Sequence, residues 1–366
     1  IVCCTLIKYF FIKKNDILEQ RIIHFEKKMQ PDWFKQIKQP SDKRTKEYLP
    51  RHPFQIILPF LILALLCCLW ALLASHLGAL MKASFLLVVP FIIGALIVYI
   101  QNYRKAVSFI QSFKVIIIFL VLLLLFSIVV LHEGAICVVI MTPILLGGML
   151  TGALFMKGLC YKIWKPNKAI YSLVLLPFIL LPIPEKTQLH YDHVDRSILI
   201  NAPAKVIWQQ LNHADNIQPH EFKPSVLYSI GVPYPVSGLT KPTNEGLIRY
   251  STWQKNIHFE EIIQQSKPNQ YLSWTYRFSP TSIPQGALDD HVSIGGKYFD
   301  LRYTSFELTP INDQQTKLTL KIDYRISTEV NFYANQIAQL MVHDFSNVIL
   351  DFYKNRSEQA VQTPQT

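Results

Sequence analysis

The chain has 366 residues, half of them apolar, and a mean hydropathy of +0.22, a composition that favours a membrane protein over a soluble one. Its net charge of +11 is unevenly spread: Lys and Arg outnumber Asp and Glu by 12 to 6 in residues 1–52 and by 8 to 1 in residues 53–183, but number 16 against 18 in residues 184–366. Because a nucleic-acid-binding domain carries its basic residues on the folded module that makes the contact, this distribution argues against nucleic acid as a partner.

Residues 1–52 are predicted to form a basic cytoplasmic leader. The apolar run at its start, Ile1–Ile12, is only about a dozen residues long and lacks the small-residue cleavage site of a signal peptide. Met29 opens a more ordinary amphipathic leader, and we interpret it as the natural start.

Residues 53–184 are predicted to form a transmembrane region, because a helix needs about 20 mostly apolar residues to cross the hydrocarbon core. Four stretches meet this requirement: Phe54–Ala74, Phe85–Ile100, Val115–Leu131 and Ala135–Met156. A fifth, Ala169–Ile183, is short; it either crosses with local thinning of the bilayer or lies at the interface. Membrane lipids are therefore expected partners.

Basic residues near the helix ends predict the orientation, since cytoplasmic loops hold an excess of Lys and Arg. The leader, the loop around Arg104 and Lys105, and the segment after Lys157 are all basic and are predicted to be cytoplasmic. With five spans the C-terminal domain lies outside the cytoplasm, whereas with four it lies inside. Glu133, the only acidic residue in this part of the sequence, is interpreted as a solvated loop carboxylate rather than a proton-relay group.

The cysteines predict neither a disulfide framework nor a metal site. None has the flanking His or Cys spacing that zinc requires, and we expect them to be packing residues. All six precede the C-terminal domain: Cys3, Cys4, Cys67, Cys68, Cys137 and Cys160.

A separate α+β domain is predicted over residues 185–358, with a disordered tail at 359–366, because alternating polar and apolar residues follow Pro184. Two helices are predicted, a short one beginning at Ala204 and a long one at Asn331–Glu358, whose apolar stripe includes Leu340 and must pack on the concave face of a sheet. Six strands are predicted: Asp195–Ile200, Gly246–Trp253, Asn256–Gln265, Tyr271–Phe278, Tyr298–Thr309 and Thr316–Ser327.

The segment Ile198–Trp208 (ILINAPAKVIW) resembles the opening strand and helix of the SRPBCC superfamily, the START-like and polyketide-cyclase-like helix-grip domains. Phe259–Ile263 with Lys267–Trp274 resembles its central hairpin, and Phe306–Pro310 with Thr316–Leu320 resembles its last two strands. The similarity spans residues 190–358 and is greatest to a bacterial subgroup in which the domain follows membrane helices. It implies a curved antiparallel sheet that grips a long helix around a cavity, in a protein of the bacterial inner membrane, but it implies little about a reaction.

Strand parity sets an apolar face of this sheet against a charged one that includes Lys317 and Asp323. The hydroxyls of Tyr276 and Tyr324 are the expected polar groups of a pocket on the apolar face, although burial in an ordinary core would explain the same pattern. The predicted lining of a pocket for a hydrophobic small molecule is Trp274, Tyr276, Phe278, Phe306, Leu320, Ile322, Tyr324, Ile337, Met341 and Phe345.

Candidate catalytic groups are few. Asp290 and His291 could act as acid and base, although an Asp-rich turn explains them as well. Neighbouring residues on a strand point to opposite faces, so Glu261 faces inward if Phe259 does, and it would then pair with Arg249 or orient a ligand. The sequence has no nucleophile elbow, phosphate loop, dinucleotide fingerprint or HExxH motif, and no cofactor is expected.

These observations predict a membrane-tethered domain that binds a hydrophobic small molecule or lipid, rather than an enzyme. Two alternatives stay open. One is a cyclase- or hydrolase-type enzyme that uses Asp290, His291 or Glu261, and the other is a non-catalytic, membrane-anchored interaction module whose cavity has no ligand.

Overall fold

The structure is a computed structural model that describes residues 54–77, 79, 81–104, 107–162, 177, 187–289 and 291–362. Three sequence predictions fall outside these ranges: the leader 1–52 with its proposed start at Met29, the candidate acid Asp290 and, apart from Pro177, the fifth apolar segment Ala169–Ile183.

Four long helices form the N-terminal half of the described chain: α1 (Phe54–His76), α2 (Val89–Arg104), α3 (Phe109–Val130) and α4 (Ala135–Lys162). A π-helical turn, Ser84–Val88, leads into α2. Each of the four is long and apolar enough to cross a membrane when that turn is counted with α2. They coincide with the four apolar stretches of the sequence, although α3 begins at Phe109 rather than Val115, and their length and composition suggest a membrane protein.

Helices α2 and α4 approach each other closely through glycine. A Cβ on Gly94 would lie 1.8 Å from the Met149 carbonyl oxygen, and a Cβ on Gly152 would lie 1.9 Å from the Phe91 carbonyl oxygen. Small residues matter at such contacts because packing, rather than the hydrophobic effect, holds helices together in lipid. Meanwhile α1 and α3 leave many large apolar side chains exposed, as expected of faces that contact lipid.

The C-terminal half is an antiparallel sheet whose concave face packs on one long helix. Its eight described strands lie in the order β1-β8-β7-β6-β5-β4-β3-β2, so that the first strand pairs with the last. The strands are β1 (Gln188–Ile200), β2 (His213–Ala214), β3 (Pro235–Thr243), β4 (Gly246–Trp253), β5 (Ile257–Lys267), β6 (Tyr271–Arg277), β7 (Phe299–Asn312) and β8 (Gln315–Thr328).

Three helices complete this domain: α5 (Ala204–Asn212), α6 (Val226–Ser229) and α7 (Asn331–Gln362). The buried residues of α7 share one core with the apolar faces of β6, β7 and β8. This is the helix-grip arrangement that the sequence resemblance implies, and it confirms the predicted fold class.

Two details of the predicted long helix are wrong. Helix α7 continues to Gln362, so residues 359–362 are helical rather than part of a tail. Leu340, assigned to the buried stripe, is 54 % exposed, because the buried face of the helix passes through Ala338 and Val342 instead.

Candidate functional site

An apolar cavity of about 190 Å³ lies where the domain meets the membrane helices. The domain contributes the first half of α7, parts of β7 and β8, and the loop between β6 and β7. The bundle contributes the start of α4 and the residue Met81 before the π-helical turn. Most of the wall is aliphatic or aromatic. Its polar side chains are Cys137, His291, Tyr298, Thr328 and Tyr333.

The predicted lining residues divide into two groups. Four of them line the cavity: Ile322, Ile337, Met341 and Phe345. The other six belong to apolar clusters of the domain and are not in the cavity wall: Trp274, Tyr276, Phe278, Phe306, Leu320 and Tyr324. Their part in binding a ligand stays a prediction.

The two tyrosines expected as polar groups of the pocket are engaged elsewhere. The Tyr276 hydroxyl lies 2.6 Å from Thr304 Oγ1, and the Tyr324 hydroxyl donates to Asn335 Oδ1 at 3.0 Å. Burial raises the pKa of both phenols, so they stay protonated at neutral pH. Neither is in the cavity wall.

A second cavity of about 110 Å³ lies inside the helical bundle and adjoins the first. Met81, Cys137 and Met141 belong to the walls of both. The second wall is otherwise formed almost entirely by apolar side chains of the membrane helices. The interior of the domain and the interior of the bundle are therefore separated by only a few side chains.

A carboxylate of the domain caps the start of α4. Asp289 Oδ2 accepts a hydrogen bond from the Cys137 backbone N–H at 2.7 Å, and a negative charge is favourable at a helix N-terminus. Gly134 makes this approach possible, because a Cβ there would lie 1.2 Å from Asp289 Oδ1. The cap joins residues 152 positions apart in the sequence.

Two further hydrogen bonds hold the domain on the bundle. Glu329 Oε2 accepts from the Ala83 backbone N–H at 2.8 Å, where the π-helical turn begins. The Tyr333 hydroxyl donates to the Ile140 carbonyl oxygen, and burial raises the pKa of Tyr333 to about 12, which keeps that donor protonated. Apolar contacts around Val330 and Leu288 surround these bonds.

Glu133, Cys137 and His291 meet at this junction, and we call them the junction cluster. His291 Nδ1 lies 3.1 Å from Glu133 Oε2 and 3.8 Å from Cys137 Sγ, and one potential ligand atom from each residue lies within 4.8 Å of the others. Cys137 is buried, and the Glu133 and His291 side chains are 13 % and 21 % exposed. These three donors are of the kinds that hold a transition metal.

The junction cluster corrects two interpretations of the sequence. Glu133 is not a solvated loop carboxylate, because it pairs with His291 in a mostly buried position. Cys137 does have a His neighbour, although it lies 154 residues away in the sequence. Local spacing contains no signal for such a cluster, and only the docking of the two halves creates it.

Arg249 and Glu261 form an ion pair inside the domain, as predicted from strand parity, and we call them with Ser251 and Tyr353 the ion-pair cluster. Arg249 also donates to the Leu211 carbonyl, to Ser251 Oγ and to the Tyr353 hydroxyl at 3.0–3.2 Å. Burial opposes the charge of Arg249, but Glu261 outweighs it and raises the pKa of the guanidinium. Glu261 is not in the cavity wall, so it is placed to stabilise the domain rather than to contact a ligand there.

Comparison with known proteins gives similar structures but no family. No family model matches the chain, and no curated protein matches it. The Zhui aromatase/cyclase from Streptomyces sp. R1128 is 13 % identical, with a match that covers 47 % of this chain and 96 % of that one and a TM-score of 0.31.

Two other solved structures are similar to the same extent. A START superfamily protein from Mycobacterium smegmatis is 12 % identical, with 46 % of this chain and 97 % of that one covered and a TM-score of 0.32. Norcoclaurine synthase from Thalictrum flavum, in complex with dopamine and hydroxybenzaldehyde, is 9 % identical, with 49 % and 91 % covered and a TM-score of 0.30.

Proposed function

We propose that this protein binds an apolar small molecule or a lipid in the cavity between its helix-grip domain and its membrane helices. The observation that carries the proposal is the composition of the wall, to which both halves contribute aliphatic and aromatic side chains. Ligand sites are typically concave and mostly apolar, with a small number of polar groups that orient the ligand.

The cavity is large enough to hold part of a small-molecule ligand. An apolar cavity of about 150 Å³ lined by similar side chains stays dry and takes up benzene. The cavity of about 190 Å³ therefore has room for a small aromatic ring or a short branched or acyl group. Its polar side chains, among them His291 and Tyr298, can then contact a polar end of the same molecule.

The second cavity supports entry from the membrane rather than from water. It shares three wall residues with the first, and it lies among helices whose outer faces contact lipid. An apolar molecule that moved from the bilayer through the bundle would not have to cross water, which is the step that the hydrophobic effect disfavours.

Filling the cavity tests this proposal. Ile337→Trp adds a large side chain to the cavity wall, whereas Leu340→Trp adds the same side chain on the exposed face of α7. Full-length wild type and both variants are purified in detergent, and binding of a solvatochromic apolar fluorophore is titrated together with mass spectrometry of co-purifying molecules. We expect binding to weaken at least about tenfold in Ile337→Trp and to be unchanged in Leu340→Trp.

Equal binding by the two tryptophan variants, or no saturable binding by the wild type, would contradict the proposal. A melting temperature within the range of Leu340→Trp shows that Ile337→Trp is folded. If it is not folded, Met341→Phe provides a smaller change in the same wall.

We propose further that the chain lies in a bacterial inner membrane with this domain outside the cytoplasm. The domain contacts the starts of the helical segments at Ala83 and Cys137, on the side of the turns with few basic residues. The other end of α4 lies with the basic loop between α2 and α3, because Lys157 Nζ donates to the Val107 carbonyl oxygen.

The two described ends that flank the fifth apolar segment support the same orientation. Helix α4 has 28 residues, so Lys162 lies about 40 Å from the start of the helix. Gln188 lies at the docked end of the domain, since its carbonyl accepts from Asn331 Nδ2 next to Glu329. Lys162 and Gln188 therefore lie at opposite ends of the bundle, which favours five crossings over four.

Thiol labelling tests the orientation, because all six native cysteines precede the domain. Asp313→Cys adds a thiol to the exposed turn between β7 and β8. We expect a membrane-impermeant maleimide to label it in cells whose outer membrane is permeable and whose inner membrane is intact. Labelling only after the inner membrane is disrupted would show the opposite orientation.

One observation favours a second candidate function, acid–base chemistry by His291. His291 lines the cavity, and Glu133 holds its Nδ1. An enzyme of this kind should accumulate its substrate when His291 is replaced. Mass spectrometry of the molecules that co-purify with wild type and His291→Gln distinguishes the two functions, because only an enzyme would hold a different molecule, its substrate, in the variant.

A further inference from the structure

The distances within the junction cluster fit the first coordination shell of a tetrahedral metal ion. With Zn–N and Zn–O of about 2.0–2.1 Å and Zn–S of about 2.3 Å, tetrahedral ligands lie about 3.3 Å apart for N and O and about 3.6 Å apart for N and S. The observed separations are 3.1 Å from His291 Nδ1 to Glu133 Oε2 and 3.8 Å from His291 Nδ1 to Cys137 Sγ. The third separation, from a Glu133 carboxylate oxygen to Cys137 Sγ, is within 4.8 Å. Side-chain movements of up to about 1 Å would therefore bring the three atoms to metal-ligand geometry.

The charges of the cluster also suit a divalent ion. A carboxylate, a thiolate and a neutral imidazole carry two negative charges, so a divalent cation neutralises the three ligands. Neutralisation matters because Cys137 is 4 % exposed and, apart from the Asp289 carboxylate at its backbone N–H, packs among apolar side chains. Mixed nitrogen, sulfur and oxygen ligands are typical of Zn²⁺.

The surroundings hold the ligands in place and leave one side open. Asp289 fixes the backbone at Cys137 through the helix cap, and the His291 ring lies 5.6 Å from that of Tyr298. Cys137 and His291 both line the cavity of about 190 Å³, so a fourth coordination position would face that cavity. Three protein ligands with one open position are typical of zinc sites that bind an exogenous molecule.

We propose that Glu133, Cys137 and His291 bind one Zn²⁺ ion at the junction of the two halves, with its open position towards the cavity. The Cys137 thiol releases its proton to solvent when the metal binds. The ion would coordinate the polar end of the ligand, which restricts the ligand class to apolar molecules with a metal-binding head such as a carboxylate. This part rests on the proposed function, whereas the metal site itself does not.

The competing interpretation is a hydrogen-bonded contact without metal, in which Glu133 and His291 form an ordinary ion pair that pins the domain to the bundle. The two interpretations differ at Cys137. A thiolate bound to metal has an optical signature, while a thiol beside an ion pair has none.

Cobalt titration of the full-length protein in detergent tests the proposal, with Co²⁺ as the optical probe for the Zn²⁺ site. Purified protein is stripped with a chelator, exchanged into clean buffer and titrated. We expect a single equivalent to bind, with a thiolate-to-cobalt charge-transfer band that Zn²⁺ abolishes. Cys137→Ser should remove the band, and Cys160→Ser, a second cysteine of α4, should keep it.

His291→Gln should weaken Co²⁺ binding by at least about a hundredfold, because replacing a residue that only supports a metal ligand already costs about ten- to a hundredfold. His258→Gln, at an exposed histidine outside the junction cluster, should leave Co²⁺ binding unchanged. If Cys137→Ser does not fold, Glu133→Gln provides another test, because it should also weaken Co²⁺ binding. No saturable binding by the wild type, or a band that persists in Cys137→Ser, would overturn the proposal. Fluorophore binding by the stripped protein separates the two proposals, since it persists if only the metal site is wrong.

Discussion

Arg249 and Glu261 pair inside one folded domain, whereas Glu133, Cys137 and His291 meet only where that domain docks on the membrane helices. Around Arg249 four of the five guanidinium N–H donors are used, each by a different protein group, and the Trp274 ring lies 5.3 Å from the guanidinium. The junction cluster makes fewer bonds and borders a cavity.

This difference separates a stabilising group of buried polar residues from a candidate binding site. A buried ion pair whose donors are nearly all used has little hydrogen-bonding capacity left for a ligand. A cluster that borders a cavity can still bind one. Three experiments test this difference, and they are given in order of decreasing effect.

Arg249→Met should destabilise the domain by about 3–5 kcal/mol, because it leaves the buried Glu261 carboxylate without its partner. The free energy of unfolding of the full-length protein in detergent, followed by tryptophan fluorescence, measures the effect. Arg277→Met is the matched control, since Arg277 pairs with Glu245 and Glu260 at the surface and should change stability little. Equal effects of the two substitutions would contradict the role given to the ion-pair cluster.

Gly134→Ala should weaken the junction by about 1–2 kcal/mol without unfolding the domain, because its Cβ would occupy the position of the Asp289 carboxylate and break the α4 cap. Faster hydrogen exchange at the start of α4 reports the loss. Gly147→Ala, on the same helix with open space around it, is the control and should exchange as the wild type does. Identical exchange in the two variants would show that the cap does not hold the junction.

Glu221→Gln should destabilise the domain by about 1 kcal/mol at pH 7, and this difference should shrink as the pH falls from 5 towards 3. Burial acts to raise the pKa of Glu221, but two hydrogen bonds from Arg356 and one from the Gln218 N–H outweigh it and hold that pKa below 4.5. A carboxyl with a lowered pKa stabilises the fold above its ordinary pKa and stops doing so as it is protonated. The free energy of unfolding of wild type and Glu221→Gln, measured at pH 7 and at pH 3, tests this prediction. Glu307→Gln, at an exposed position, is the control, and its stability should equal that of the wild type at both pH values.

The sequence predicts best what depends on strand periodicity. Alternation along β5 predicts that Glu261 shares a face with Phe259 and meets Arg249 on β4, and their register pairs Arg249 with Glu261 directly. The same alternation finds the apolar face of the sheet. It cannot show how deep a side chain lies. Trp274 and Phe306, which are predicted to line the pocket, pack on each other, and Phe306 also packs on Tyr353.

Sequence patterns do not predict features that form only through contacts between residues far apart in the chain. Strand β3 contains Pro235, Gly238 and Pro242, which favour turns, and it forms because β4 pairs with it along its length. The first half of β1 is polar and was not predicted; it forms because β8 pairs with it as far as Gln188. The junction cluster is the extreme case, since His291 lies in a different half from Glu133 and Cys137 and no periodicity relates it to them.

The contact between Gly134 and Asp289 constrains how the two halves can evolve. Because a side chain at position 134 and a carboxylate at position 289 compete for the same space, a lineage that enlarges one has to shorten the other. Transfer of this domain onto a different set of helices would lose this cap unless a glycine stood just before the receiving helix. We therefore expect the two halves to descend together as one unit, with substitutions at these two positions correlated among relatives.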